Sequence, residues 1–190
     1  MIKRSPRATK QTKVLGIDAS LASTGYAYYE GGVLITGVID TGKLKGPYRL
    51  VYVREQLARV LSVVKPDLAV YEDYAMGARG NNMFHIGELG GVLKTLLWEK
   101  GVDYISIPPT AMKSVIAQNG AAKKPDISSA LKTRFGLDIR QNDEADATGL
   151  LLIGEMLLGI RAVVGSVERF ASVKNAKLTK GKLILISKPQ

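Results

Sequence analysis

Residues 14–18, VLGID, form the apolar run of a buried strand. Thr24–Glu30 and Val33–Asp40 alternate apolar and polar positions around Gly31-Gly32, a pair suited to a hairpin turn, so three consecutive strands are expected. From Leu50 the apolar positions Val53, Leu57, Val60, Leu61 and Val64 recur at helical spacing, and Pro66-Asp67 stops that helix before another strand, Leu68–Glu72. A loop with Gly77, Gly80, Asn81 and Asn82 leads to a second helix from about Met83 to Glu99, which carries Ile86, Leu89, Leu93 and Leu96 on one stripe. Gly101 caps it and Val102–Ile107 makes the next strand. Short helices near Ala111–Gln118 and Asp126–Phe135 precede a last helix from Asn142 through Leu158, ended by Gly159. The order β-β-β-α-β-α-β-α predicts an α/β domain, a mixed β-sheet flanked by helices. Gly87, Gly90 and Gly91 inside the second helix each cost up to about 1 kcal/mol against alanine, which predicts a close neighbour there, a facing helix before a DNA backbone. Met83, Phe84 and Trp98 read as core or subunit-contact residues.

At 190 residues and 46% hydrophobic, the chain suits one globular domain with an extension at either end. The absence of cysteine excludes disulfides, thiolate zinc sites and Fe–S clusters. No apolar run reaches the roughly 18 residues a membrane span needs, and the start MIKRSPRATKQTK lacks the apolar stretch of a secretory signal, so a soluble cytoplasmic protein without membrane partners is expected. The net charge of +10 sits in the ends. Residues 1–13 hold five basic side chains and no acid, residues 161–190 hold seven against Glu168 alone, and 14–160 keep 15 basic against 16 acidic residues. Basic arms on a neutral body point to a polyanion, most often nucleic acid held through counterion release; solubilising tails are the alternative.

The chemistry concentrates in carboxylates. Asp18 ends one apolar run and Glu72 another, while Asp143 and Asp146 open an apolar helix in NDEADATGLLL. Acids at such places lose hydration and repel one another, so together they call for a cation. Hard oxygen ligands without cysteine favour Mg²⁺ or Mn²⁺ over zinc. Asp143 and Asp146 are three apart and share a helix face, although two acids near a helix N-terminus also read as caps. Asp18 alternatively reads as a turn aspartate, and Asp73 competes with Glu72 because adjacent strand residues face opposite ways. His85, the only histidine, reads as a surface or helix-cap residue before a general base.

The segments GIDASLASTG, YEDYAMGARGNN, GELGGVLKTLLWEKG, PPTAMKSVIAQNGAAKK and NDEADATGLLL resemble, in order and spacing, the RuvC-type Holliday-junction resolvases over about residues 14–158. The resemblance implies a single ribonuclease H-like nuclease domain over 14–159, between a basic arm (1–13) and a basic extension (160–190). It implies a homodimer acting on four-way DNA junctions. Asp18, Glu72, Asp143 and Asp146 match the family's catalytic, metal-holding acids, with Asp143 the least fixed because some members carry histidine there. Lys113 and Lys124 look like the family's two basic catalytic residues, and Lys123 stands beside the second. Tyr74, Met76, Arg79, Lys113, Lys123 and Lys124 form the implied DNA-contacting set. One departure is Ala75, which stands where the family often carries an aromatic wedge; Tyr74 and Met76 flank it, and apolar side chains can enter a base step. The basic extension, whose VERFASVK and KLILISK suit a helix or a strand, has no counterpart in the family. These departures lean toward a bacteriophage member.

The implied chemistry is phosphodiester hydrolysis with two Mg²⁺ ions about 4 Å apart, bridged by Asp18, activating a water and stabilising the leaving 3′-oxygen. The product is a nick with 5′-phosphate and 3′-hydroxyl, and Lys113 or Lys124 balances developing charge. Three rival readings stay open: a broader flap or fork endonuclease, a non-catalytic junction binder, and a sugar-kinase-like ATPase domain. The four acids speak against the binder. The ATPase would need a second phosphate-binding strand pair, for which the chain is too short.

Overall fold

A computed structural model describes residues 12–73 and 82–163, together with the backbone of 176–179 and 182–185. Three strands, β1 (Val14–Ala19), β2 (Ser23–Glu30) and β3 (Val33–Asp40), are followed by α1 (Gly46–Val64), β4 (Leu68–Glu72), α2 (Asn82–Glu99) and β5 (Asp103–Ile107). Then come α3 (Pro109–Ile116), α4 (Lys124–Phe135) and α5 (Asn142–Leu157). The sheet order is β3-β2-β1-β4-β5; β1, β2 and β3 pair antiparallel, while β4 lies parallel to both β1 and β5. The mixed sheet expected from the pattern is therefore present. In the C-terminal extension, β6 (Ala176–Thr179) and β7 (Lys182–Leu185) pair antiparallel, so the first four residues of KLILISK form a strand, while VERFASVK lies outside the described residues. No helix among the described residues is long and apolar enough to cross a membrane.

Alternation along the strands sorts the core into two layers. Leu15, Ile17, Ala69 and Tyr71 pack with Val53, Leu57 and Leu61 of α1 and Leu89, Leu93 and Leu96 of α2. Val14, Leu68 and Val70 pack on the other face with α3, α4 and α5, among them Met112, Ile127, Leu150 and Ile153. Helix α5 is the most deeply set element, buried from Ala145 through Leu157.

Two glycines let α5 sink onto the sheet. A Cβ on Gly16 would stand 2.0 Å from the Ala147 carbonyl oxygen, and one on Gly25 would stand 2.0 Å from the Asp143 carbonyl oxygen. Gly25 pairs directly with Asp18, so the first turn of α5 rests above the strand end that carries that acid. Gly25→Ala must lift this turn off β2, and a loss of about 3 kcal/mol is expected in a urea melt, the upper range for overpacking a dense interior. A stability within experimental error of the parent would show that the turn yields freely.

Several boundaries differ from the pattern. Helix α1 begins at Gly46 rather than Leu50 because Pro47, fixed in a helical φ, opens it ahead of the first apolar residue of the stripe. Pro109 and Pro125 likewise start α3 and α4 two residues early. At Gly91 of GELGG an added Cβ meets nothing within 4 Å among the described residues, so the facing helix expected there is not supplied within the protomer at that position. Met83, Phe84 and Trp98 are 50%, 69% and 61% exposed, so none belongs to the core of this protomer.

Candidate active site

Strands β1 and β4 run side by side with Ile17 opposite Tyr71, so Asp18 and Glu72, one residue further along each, stand at adjacent strand ends. Parity decides between Glu72 and Asp73. Glu72 shares the face of Leu68 and Val70 beneath α5, whereas Asp73 continues along β5: its amide donates to the Ile107 carbonyl at 2.9 Å and Ser106 Oγ donates to its carboxylate at 3.3 Å. Asp18 is 7% and Asp146 9% exposed. Asp18 lies inside β1, not in a turn, and no described residue donates a hydrogen bond to its carboxylate.

The capping role at α5 falls to Gln141, whose side chain accepts from the Glu144 amide at 3.3 Å. Asp143 is thereby left to face β2 and α4. Its carboxylate accepts a hydrogen bond from Ser23 Oγ and a second from Lys124 Nζ at 3.3 Å. Ser23 escaped the sequence reading, because a serine at a strand start carries no signal until α5 is laid across β2. Lys113 on α3 and Lys124 at the start of α4 come to the acids together; Arg134 of α4 binds α3 by donating from Nη1 to the Val115 carbonyl at 3.0 Å and to that of Ile116.

The electrostatics show how tightly the acids are gathered. Burial, followed by the charges of Glu72, Asp146 and Asp143, pushes the Asp18 carboxyl up to about 8, with Lys124 opposing. Burial and then Asp146 push Glu72 up to about 7 against Lys113 and Lys124. Burial raises Asp146 as well, with Lys124 and Lys113 opposing and Asp143 adding. Burial lowers the Lys124 ammonium, but its hydrogen bond to Asp143 and the surrounding carboxylates outweigh this and hold it above its ordinary value. Such a hard, oxygen-only, mutually repelling donor set suits a divalent cation, which would relieve the repulsion that now holds protons on the acids. Among the described residues no group of three or more His, Asp or Glu side chains is already arranged to hold an ion, and Asp143 is engaged by Ser23 and Lys124. Ligation would therefore require side-chain rotation.

Beside the acids, on the α2 side of the sheet, lies a cleft of about 370 Å³ lined by Asp18, Ser20, Ala22, Tyr71, Ile86 and Gly90, among others. His85 is half exposed with Nδ1 3.1 Å from Glu88, in keeping with a surface histidine. Tyr74, Ala75, Met76 and Arg79 fall outside the described residues, as do residues 1–11. Lys123 opens α4 with its amide donating to Asp126 at 2.8 Å, one residue from Lys124.

The family model for "Crossover junction endodeoxyribonuclease RuvC" matches residues 14–153. A relative of that name from Parasynechococcus marenigrum is 30% identical over 151 residues, covering 75% of this chain and 97% of its own length. Another from Chloroflexus aggregans is 29% identical over 150 residues, covering 74% and 90%. Among solved structures, Thermus thermophilus RuvC in complex with Holliday junction substrate superposes with a TM-score of 0.64 at 22% identity, over 75% of this chain and 92% of that one. The yeast mitochondrial Holliday junction resolvase gives 0.51 at 16% identity, over 74% and 76%. These two likenesses establish the fold, and the family match spans the segment from β1 to α5 that carries all four acids and both lysines; the chain belongs to the RuvC family of crossover junction endodeoxyribonucleases.

Proposed function

We propose that this chain is a metal-dependent, structure-selective DNA endonuclease that resolves four-way junctions as a homodimer. Each subunit nicks one of two opposed strands and leaves a 5′-phosphate and a 3′-hydroxyl; two-fold symmetry in dimer and junction accounts for paired cuts. The observation that carries this reading is the gathering of Asp18, Glu72 and Asp146 at the ends of β1, β4 and α5, with burial and mutual repulsion pushing all three carboxyls upward.

Asp18, Glu72, Asp143 and Asp146 would hold two Mg²⁺ or Mn²⁺ ions, supplying water activation and charge neutralisation at the scissile phosphate. The remaining steps belong to the chain. Lys113 and Lys124 stand close enough to stabilise the charged forms of Glu72 and Asp146, and the same two ammonium groups bind the substrate phosphate and offset negative charge developing in the transition state. Ser23 donates a hydrogen bond to Asp143 and holds its carboxylate beside Lys124 until a cation draws it into the site. The apolar packing of α5 behind the acids limits water on that side and keeps the electrostatics strong. Tyr74, Met76, Arg79 and Lys123 contact the DNA, and the basic segments 1–13 and 160–190 flank the nuclease domain as further phosphate-binding arms.

A second reading, broader cutting of flaps and forks, is favoured by one observation, Ala75 in place of an aromatic wedge. Labelled four-way junction, fork and linear duplex incubated with the protein and with Asp146→Asn, in Mg²⁺ and then in EDTA, separate the readings. Symmetric junction nicks that vanish with EDTA and with Asp146→Asn are expected. Equal cutting of forks would favour the second reading, and tight binding without cutting in Mg²⁺ or Mn²⁺ would overturn both.

A further inference from the structure

The segment 14–160 is nearly neutral as a whole, yet its charges are not evenly spread. Between Asp40 and Glu55 lie Lys43, Lys45, Arg49 and Arg54 and no acid. Lys43 and Lys45 occupy the loop from β3 into α1, Arg49 lies in the first turn of α1, and residues 42–48 are all exposed. Tyr48 is 80% exposed, with Leu44 (37%) and Val51 (54%) nearby in sequence. On this nuclease reading, we propose that the β3–α1 loop and the first turn of α1, through Lys43, Lys45, Tyr48 and Arg49, grip the phosphate backbone of the DNA arm flanking the cut.

Topology places the loop beside the site. Strand β3 runs parallel to β1 through the intervening β2, so its end lies at the same edge of the sheet as Asp18. The two strands are two spacings apart, about 10 Å, which is a few nucleotides of a strand rising about 3.4 Å each. Asp40 pairs with Ser23, the residue whose hydroxyl holds Asp143. Thr41, only 2% exposed, ties the loop to the turn just after Asp18: its amide donates to the Ala22 carbonyl at 3.1 Å, and its hydroxyl donates to those of Leu21 at 2.9 Å and Ala22 at 2.8 Å. Any backbone lying across the acids toward β3 meets this loop.

The charges there are available. Asp40, the nearest acid in the chain, accepts the Gly42 amide at 2.8 Å. Among the described residues no carboxylate pairs with Lys43, Lys45 or Arg49, whereas Lys13 pairs with Glu30, Arg54 with Glu99 and Lys132 with Asp138. The loop is also preformed, since Arg49 Nε donates to the Leu44 carbonyl at 2.9 Å and the Thr41 bonds fix its root. Ordering it on binding therefore forfeits little entropy. Helix α1 starts without a capping side chain or an acid in its first turn, which adds a partial positive charge to the same surface. Tyr48 offers a ring for a sugar or an unstacked base.

The test is the salt dependence of DNA binding. Lys43→Ala/Lys45→Ala should bind four-way junction about tenfold more weakly near physiological salt, with the slope of log K against log salt smaller by nearly two, about 0.9 for each phosphate no longer neutralised. Its melting temperature should match the parent, because neither side chain is paired with a described residue. The cutting rate with all DNA bound should stay within about twofold, a split that a damaged active site would not give. A control at the opposite sheet edge, Lys65→Asn/Lys100→Ala, should leave the slope unchanged; asparagine is chosen because Lys65 has φ +49°. An unchanged slope in the Lys43/Lys45 variant, or an equal drop in the control, would overturn the inference. Running linear duplex in parallel separates the two claims: a parent without preference for the junction defeats the resolvase reading, while the slope on duplex still decides the loop.

Discussion

Asp18→Asn is expected to lower cutting by about a thousandfold or more while raising the melting temperature of the metal-free protein at pH 8, the scale being that of losing a preorganised electrostatic group at a reacting centre. The two effects share one cause. Asp18 is buried, accepts no hydrogen bond from any described residue, and is crowded by Glu72, Asp146 and Asp143, so its ionised form is costly to the fold. Asparagine keeps the shape and removes the charge. The chain thus spends stability on a set of acids that only a cation can reconcile, as functional sites often do. Activity on synthetic junction and calorimetric melts in EDTA check both halves. A variant that still cuts would remove Asp18 from the catalytic set, and one that melts lower than the parent would show that its carboxylate serves the fold.

The pattern of apolar residues carried the sheet, its helices and the two core layers, because burial of strands and helical stripes is written locally in VLGID, LAVYE and Val53–Val64. Asp18 and Glu72 stood out for the complementary reason, that a carboxylate closing an apolar run contradicts its surroundings, whereas Asp143 and Asp146, opening an apolar helix, could equally have been caps. What escaped the sequence depends on elements meeting. Ser23 matters only because α5 crosses β2, and α5 can cross there only because Gly16 and Gly25 lack a Cβ, a requirement invisible in GID or STG. The choice between Glu72 and Asp73 needed strand parity on a known face. Of the GELGG glycines, Gly91 is exposed and an added Cβ there meets nothing within 4 Å among the described residues, so the facing helix expected from the sequence is not supplied within the protomer at that position. Charge summed over 14–160 hid the loop of Lys43 and Lys45, since a total says nothing about which cations lack an acid beside them.

The metal-free protein should lose stability as pH rises from about 4 to about 8, and Mg²⁺ should restore it most at the alkaline end. Asp18 and Glu72 have folded-state pKa values of about 8 and about 7 against ordinary values of 3.8 and 4.5. Below the ordinary values both forms of the chain hold these protons and the groups are neutral to folding. Above them the unfolded chain ionises first, so the native state binds more protons and its stability declines with pH until the folded values are passed. Each unit of raised pKa is worth about 1.4 kcal/mol, so the pair accounts for several kcal/mol across this window. A cation that binds the ionised acids must expel their protons, so its stabilisation grows with pH and its binding near pH 7 releases protons, readable by titration calorimetry in buffers of different ionisation enthalpy. The comparison with Asp18→Asn isolates the site from the other carboxylates of the protein: the variant should show a shallower fall between pH 4 and 8 and a weaker response to Mg²⁺. Equal Mg²⁺ stabilisation of the parent at pH 6 and pH 8 would mean that the ion binds elsewhere and that these acids keep their protons for another purpose.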